Sequence, residues 1–289
     1  MNVGFVGLGV MGFPMARHLA KSGQVLQVFN RSPGKSRAFI EAYGGVTADD
    51  PVKALAGVDV AILCVSADAD VRDITSRILP MLAPGAVVVD HSTTSADVAR
   101  EMADKAAAVG REFVDAPVSG GQSGAEAGVL TAMLGGDETA IERITPVISA
   151  YCRTVRRIGP SGAGQLAKMC NQICIAGVVQ GLAEAVHFAE QADLDAQAVF
   201  EAISMGAASS WQMQNRWSTM VDGKFDFGFA VDLMRKDLGL VLQAARGNGA
   251  RLEVTALVDQ FYAEVQAMGG RRWDTSSLVA RLSKPEPRA

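Results

Sequence analysis

Val3-Gly4-Phe5-Val6-Gly7-Leu8-Gly9-Val10-Met11-Gly12 lies at the start of the chain, and its reading decides the fold. A short apolar run leads into Gly7-x-Gly9-x-x-Gly12, and the helix-like Phe13-Pro14-Met15-Ala16-Arg17-His18-Leu19-Ala20 follows. Strand, tight turn and helix in this order are what a dinucleotide site requires. Gly7 lets the chain turn sharply, Gly9 lets backbone approach a pyrophosphate, and Gly12 lets helix and strand pack closely. Leu8, Val10 and Met11 complete the turn, and the helix N-terminus offers N–H groups and positive partial charge to the phosphates. Taken alone, the glycines would also suit a tight turn with no ligand.

Beyond the turn, strand-like and helix-like segments alternate. Val25 to Phe29 is β-branched and ends at Asn30-Arg31-Ser32-Pro33-Gly34, and a helix is expected from Lys35 to Tyr43. Val58 to Val65 and Ala86 to Asp90 are continuous apolar runs, as parallel strands buried on both faces require. A helical stretch between them stops near Met81-Leu82-Ala83-Pro84-Gly85. Glu112 to Asp115 and Thr131 to Leu134 read as shorter strands. The alternation implies an α/β Rossmann domain with a doubly wound, mostly parallel sheet. Near Gly159-Pro160-Ser161-Gly162-Ala163-Gly164 the character changes, and a long helix is expected from about Gln165 to Gln191. Residues 1–161 are therefore expected to form the dinucleotide-binding domain and 162–289 an all-α C-terminal domain. Ser283 to Ala289, with two prolines and mixed charge, reads as a frayed end.

Composition narrows the function classes. Hydrophobic residues at 49% and charged residues at 20% fit a soluble globular protein, and 289 residues suffice for two domains. A net charge of −4 argues against nucleic acid or an anionic membrane as partner. The four cysteines (Cys64, Cys152, Cys170, Cys174) show no CxxC spacing and read as buried thiols of a cytoplasmic protein. Cys170 and Cys174 fall one helical turn apart, but no third ligand is near in sequence, so no metal site is expected. The uncharged stretch from Met169 to Ala183 is too short to span a bilayer.

Three constellations could carry chemistry. Where a carboxylate would grip the ribose hydroxyls of NAD, this chain has Asn30, Arg31 and Ser32, which favours the 2′-phosphate of NADP. Asp115-Ala116-Pro117-Val118-Ser119-Gly120-Gly121 lies at the C-terminal end of an expected strand, where ligands sit in such sheets. Ser119 with Gly120 and Gly121 presents a hydroxyl and open backbone N–H groups, suited to a small carboxylate or carbonyl, or simply an ordinary turn. The third is Gly162-x-Gly164-Gln165-x-x-Lys168-x-x-Asn171-Gln172. Reduction of a carbonyl creates an alkoxide that needs a proton donor, and a lysine with a burial-lowered pKa can serve. A snorkelling surface lysine is the plainer reading of Lys168 on pattern alone.

Together these segments resemble the β-hydroxyacid dehydrogenase family, which includes 3-hydroxyisobutyrate dehydrogenases, tartronate semialdehyde reductases and glyoxylate/succinic semialdehyde reductases. The resemblance covers essentially the whole chain, through GFVGLGVMGFPMA, Asp90 to Thr93, DAPVSGG, the run through Lys168, and Lys236-Asp237-Leu238. It implies that Lys168 is the catalytic general acid/base and that Ser119, Gly120 and Gly121 bind substrate. It also implies a substrate-site amide from Asn171 or Gln172, and cofactor contacts from Thr93 and Lys236. A helical domain that mediates dimer or tetramer formation is implied as well. Two positions depart from the pattern. Val65-Ser66 replaces a Leu-Pro pair that many members place beneath the nicotinamide, which leaves Val65 as the cofactor contact. His91 stands where an apolar or small residue is usual, and reads as a satisfied structural histidine.

The expected activity is NADP(H)-dependent interconversion of a small aldehyde acid and its hydroxy acid. The alternatives are an NAD-using 3-hydroxyisobutyrate dehydrogenase and, from another class, a non-catalytic dinucleotide sensor. Trp211, Phe229 and Asp237 are expected near the substrate, and Arg216 and Arg235 could anchor its carboxylate or be ordinary helix arginines.

Overall fold

The computed structural model describes residues 1–282; the expected frayed end, Ser283 to Ala289, lies outside them. The chain forms two compact units, Met1–Lys168 and a second that begins at Met169.

In the first unit, strands and helices alternate as β1 (Val3–Val6), α1 (Gly12–Lys21), β2 (Leu26–Phe29), α2 (Pro33–Tyr43), β3 (Val46–Thr47), α3 (Pro51–Ala54), β4 (Val60–Leu63) and α4 (Asp68–Ile78). They continue as β5 (Val87–Asp90), α5 (Ala96–Ala107), β6 (Glu112–Asp115), β7 (Val118–Ser119), α6 (Gly121–Ala127), β8 (Leu130–Gly135), α7 (Glu138–Ile148) and β9 (Cys152–Gly159). Among the described residues these strands make one sheet in the order β3-β2-β1-β4-β5-β6-β8-β7, with β9 paired to β8. Strands β1 to β6 pair in parallel, whereas β8 runs antiparallel to β6 and β7. This is the doubly wound, mostly parallel sheet expected.

Sheet and helices follow from the residues. Every residue of β1, β4 and β5 is buried, because helices cover both faces. Period-two alternation sends Val60 and Ile62 into one core with Phe5, Met15 and Phe39. Ala61 and Leu63 go to the other, with Val71, Ile78 and Met102. Ser95 caps α5 by accepting the Val98 N–H at 3.1 Å, and Asp137 caps α7 through Thr139 and Ala140.

The second unit is helical. Helix α8 (Ala163–Gln191) begins in the first unit and runs into the second, where α9 (Ala196–Ile203), α10 (Trp211–Val221), α11 (Val231–Asn248) and α12 (Glu253–Ala267) follow. Ala176, Val179, Ala183 and Val186 of α8 share a core with Trp217, Met234, Leu238 and Tyr262.

One expectation about α8 is corrected. Cys170 and Cys174 are exposed rather than buried, while Cys152 is buried and Cys64 half-buried. Apolar residues occur all round this helix, so spacing alone does not choose the buried side. Gln172 and Ala176 lie on that side, and Cys174 is about 200° round the helix from Gln172. The uncharged stretch Met169 to Ala183 is embedded in a longer helix: α8 has 29 residues and is long and apolar enough to cross a membrane by length and composition alone. Its face built from Ala176 to Val186 is instead part of the helical core.

Candidate active site

The glycine turn shows three distinct requirements. Gly7 has φ +96°, and a Cβ there would lie 2.1 Å from the Cys64 carbonyl oxygen. A Cβ on Gly12 would lie 1.8 Å from the Gly7 carbonyl oxygen, whereas one on Gly9 would meet no atom within 4 Å. The first and third glycines thus close the turn, and the second leaves a space that a Cβ would fill. Helix α1 has no side-chain cap and no acidic residue in its first turn, so its N–H groups suit an anion. These residues fit the pyrophosphate of a dinucleotide. Two substitutions separate the roles. Gly12→Ala is expected to cost about 2–4 kcal/mol in urea unfolding. Gly9→Ala is expected to change stability by less than about 0.5 kcal/mol while weakening dinucleotide binding in a fluorescence titration.

At the end of β2, Asn30 is committed to this turn. Its Oδ1 accepts the Leu8 N–H at 2.8 Å, and its Nδ2 donates to the Ser32 carbonyl at 3.0 Å. Arg31 is exposed, with Nη1 3.7 Å from Asp70 Oδ1, and Ser32 precedes α2 without making a side-chain cap bond.

The loops after β4 and β5 are tied together. Ser92 Oγ accepts the Val65 N–H at 2.9 Å, and the Ser92 N–H donates to Asp90 Oδ1 at 2.9 Å. Gln165 then grips the β5 loop on both sides of Thr93. Its Nε2 donates to the Ser92 carbonyl at 2.8 Å, and its Oε1 accepts the Thr94 N–H at 3.0 Å. His91 is structural, as expected. It is buried, and desolvation lowers its pKa to about 4, so the ring is neutral. Nδ1 donates to the Ala116 carbonyl at 2.6 Å, which leaves Nε2 to accept the Tyr151 hydroxyl at 2.8 Å.

Asp115, at the end of β6, holds the start of α8. Its Oδ1 accepts the Gly162 N–H at 2.7 Å and its Oδ2 the Gln165 N–H at 2.9 Å. Burial outweighs these bonds and raises its pKa to about 6. Gly164 is required because a Cβ would lie 2.4 Å from the Met133 carbonyl and 2.7 Å from that of Asp115. Lys168 follows Gln165 by three residues on α8 and is buried, with 8% of its surface exposed, so it is no snorkelling surface lysine. In the substrate loop, Ser119 ends β7, and Gly120 and Gly121 adopt φ of +130° and +62°, a backbone region that favours glycine.

In the second unit a polar chain runs through the buried Gln172 and Asp237. Asn171 Nδ2 donates to Gln172 Oε1 at 2.7 Å, and Gln172 Nε2 donates to Asp237 Oδ2 at 2.7 Å. Lys236 Nζ lies 3.2 Å from Asp237 Oδ1. The two arginines weighed as carboxylate anchors are already engaged. Arg216 Nε is 3.0 Å from Asp274 Oδ1, with its guanidinium over the rings of Trp211 and Phe227. Arg235 makes a two-pronged pair with Asp259 at 3.0 and 3.2 Å. Phe229 contributes its N–H to Asp274 Oδ2. Among the described residues no group of three or more His, Cys, Asp or Glu could hold a metal.

Residues 2–159 match the model described as the NAD binding domain of 6-phosphogluconate dehydrogenase. Residues 162–282 match the one described as NAD-binding of NADP-dependent 3-hydroxyisobutyrate dehydrogenase. The chain belongs to the β-hydroxyacid dehydrogenase family. An uncharacterised oxidoreductase of Shewanella frigidimarina is 58% identical to this β-hydroxyacid dehydrogenase, over 98% of each chain. The 2-hydroxy-3-oxopropionate reductase of Escherichia coli is 32% identical, over 98% of this chain and 97% of that one. A solved structure of Mycobacterium tuberculosis 3-hydroxyisobutyrate dehydrogenase with L-serine superposes with a TM-score of 0.90 at 32% identity, covering 98% and 99% of the two chains. As a β-hydroxyacid dehydrogenase the protein is an NAD(P)-dependent oxidoreductase, which sets aside the non-catalytic sensor reading.

The roles of Asp115 and Gln165 had no counterpart in the sequence reading of this dehydrogenase. Only the position of Asp115 at a strand end and of Gln165 after two glycines hinted at them.

Proposed function

We propose that this dehydrogenase reduces a small aldehyde acid, of the semialdehyde or glyoxylate type, with NADPH, and runs reversibly with the corresponding hydroxy acid. The buried Lys168 carries this reading. It stands just past the point where Asp115 and Gln165 pin α8 to the loops after β5 and β6, so a single proton-bearing side chain has a fixed origin.

Gly7 to Gly12 and the α1 N-terminus would hold the pyrophosphate, Arg31 the 2′-phosphate, and Val65, Thr93 and Lys236 the nicotinamide half. When bound, the reduced nicotinamide supplies the hydride. Ser119 Oγ and the N–H groups of Gly120 and Gly121 hold the substrate carboxylate. Lys168 Nζ gives its proton to the carbonyl oxygen in reduction and takes it from the hydroxyl in oxidation. Asn171 and Gln172 orient the substrate oxygen or the lysine through their amides.

The cofactor preference rests on Arg31 together with the lack of a carboxylate at the end of β2. Charge-assisted bonding to the phosphate contributes roughly 1.5–3 kcal/mol. The test is cofactor consumption with glyoxylate, succinic, tartronate and methylmalonate semialdehydes, each run with NADPH and NADH. Turnover of at least one aldehyde is expected, with kcat/KM about ten- to a hundredfold higher for NADPH. Equal values would sink the NADP assignment, and no turnover of any aldehyde would sink the substrate class.

A homodimer or homotetramer in the cytoplasm completes the proposal. Its support is the exposed side of α8, where Cys170, Cys174, Val178 and Phe188 face outward, Phe188 with 71% of its surface exposed.

A further inference from the structure

The acidic residue missing from the end of β2 is supplied in space by another crossover. Helix α4 follows β4, which pairs with β1 on the side opposite β2. Its first turn carries two carboxylates, Asp68 and Asp70. Asp68 is engaged elsewhere, since its Oδ1 accepts the Ser95 N–H at 3.0 Å and its Oδ2 the Ser95 hydroxyl. Asp70 instead faces Arg31, with 3.7 Å between Oδ1 and Nη1. Arg31 is 88% exposed and Asp70 32%, so the pair is loose and solvated. The cations near by in sequence, Lys35 and Arg37, are exposed on α2, whose first turn has no acidic residue.

We propose that Asp70 is a specificity-determining residue that restrains the preference for NADP over NAD by competing for Arg31. The inference rests on Arg31 being the 2′-phosphate ligand. A 2′-phosphate needs the guanidinium, and Asp70 opposes it twice. It shares the cation, and its own negative charge lies within a Debye length of the incoming phosphate. NAD brings no phosphate to this position and is indifferent to both effects. A carboxylate arriving from α4 thus does in part what a carboxylate at the end of β2 does in NAD-specific sites, without abolishing phosphate binding.

The experiment is a fluorescence titration of NADPH and NADH into the wild-type protein, Asp70→Asn and Arg31→Gln, at low salt and at 0.5 M sodium chloride. Asp70→Asn is expected to tighten NADPH by about three- to tenfold at low salt, to lose most of that gain at high salt, and to leave NADH within about twofold. Arg31→Gln is expected to weaken NADPH by about tenfold or more. Unchanged or weaker NADPH binding by Asp70→Asn, while Arg31→Gln still loses NADPH, overturns the role of Asp70 and leaves the NADP assignment standing. Weaker NADH binding by Asp70→Asn also overturns it, because the carboxylate would then be a ligand of the ribose hydroxyls. An unchanged NADPH-to-NADH ratio in Arg31→Gln overturns the NADP assignment itself.

Discussion

Lys168→Ala is expected to lower kcat by about 10²–10⁴-fold, a loss of roughly 3–5 kcal/mol of transition-state stabilisation. Lys168 is the one buried lysine among the described residues, on a helix whose start is fixed by both oxygens of Asp115. Without the ammonium, the oxygen of the aldehyde must take its proton from water, which has no fixed position relative to it. Binding of NADPH is expected to stay within about threefold of wild type, because the glycine turn and Arg31 are untouched. A small primary amine added to Lys168→Ala is expected to restore part of the rate, whereas Lys168→Arg should remain slow, since a guanidinium keeps its proton near neutral pH. Stopped-flow measurement of the chemical step reads all three. Near-normal kcat in Lys168→Ala would remove the lysine from the mechanism.

Much of this frame is legible in the chain because local rules and global fold agree. The strands at Val3, Val60 and Val87 are unbroken apolar runs, and only burial on both faces of a parallel sheet accounts for them. The glycine turn is readable for a related reason: backbone crowding at Gly7 and Gly12 leaves no other residue type. Strands β3 and β7 escape because two residues carry no period. Strand β9, with Arg153, Arg156 and Arg157 exposed, reads as a polar surface segment rather than a sheet strand. Helix α8 is misread in its burial because an all-round apolar helix has no stripe to choose.

The site divides along the same line. Lys168 stands in a motif, but the start of its helix is held by partners far apart in sequence. Gln165 reaches Ser92 across 73 positions, and Gln172 reaches Asp237 across 65. No local pattern records such a bond. Asn30 adds a role that its place in the sequence does not announce: its amide also holds the turn through Leu8.

The same long-range logic predicts opposite outcomes for two neighbouring carboxylates. Asp90 and Asp115 are register partners on β5 and β6, and both are buried. Asp90 has one oxygen on the Ser92 N–H, while its Oδ2 is buried with no hydrogen-bond partner. Burial, only partly offset by Ser92, raises its pKa from 3.8 to about 7. The folded form therefore holds this proton more tightly than the unfolded one. Its contribution is complete below about pH 4 and is lost as pH rises through about 7, on the order of 4 kcal/mol by pH 8. Asp115 adds a change of the same sign that ends near pH 6. Asp90→Asn is expected to exceed wild type by about 1–2 kcal/mol at pH 5, where the unfolded chain already ionises Asp90 while the fold keeps it neutral, and by about 4 kcal/mol at pH 8. Asp115→Asn is expected to lose about 2–4 kcal/mol at pH 5 and less at pH 8, where the amide escapes the cost of ionising the buried carboxyl. Both oxygens of Asp115 accept N–H groups at the start of α8, and an amide must turn its own N–H₂ towards one of them. Urea unfolding of the three proteins at the two pH values decides the matter. A loss of stability in Asp90→Asn at pH 8 would mean that its buried oxygen is satisfied as a carboxylate. An unchanged Asp115→Asn would mean that α8 does not depend on that side chain for its start.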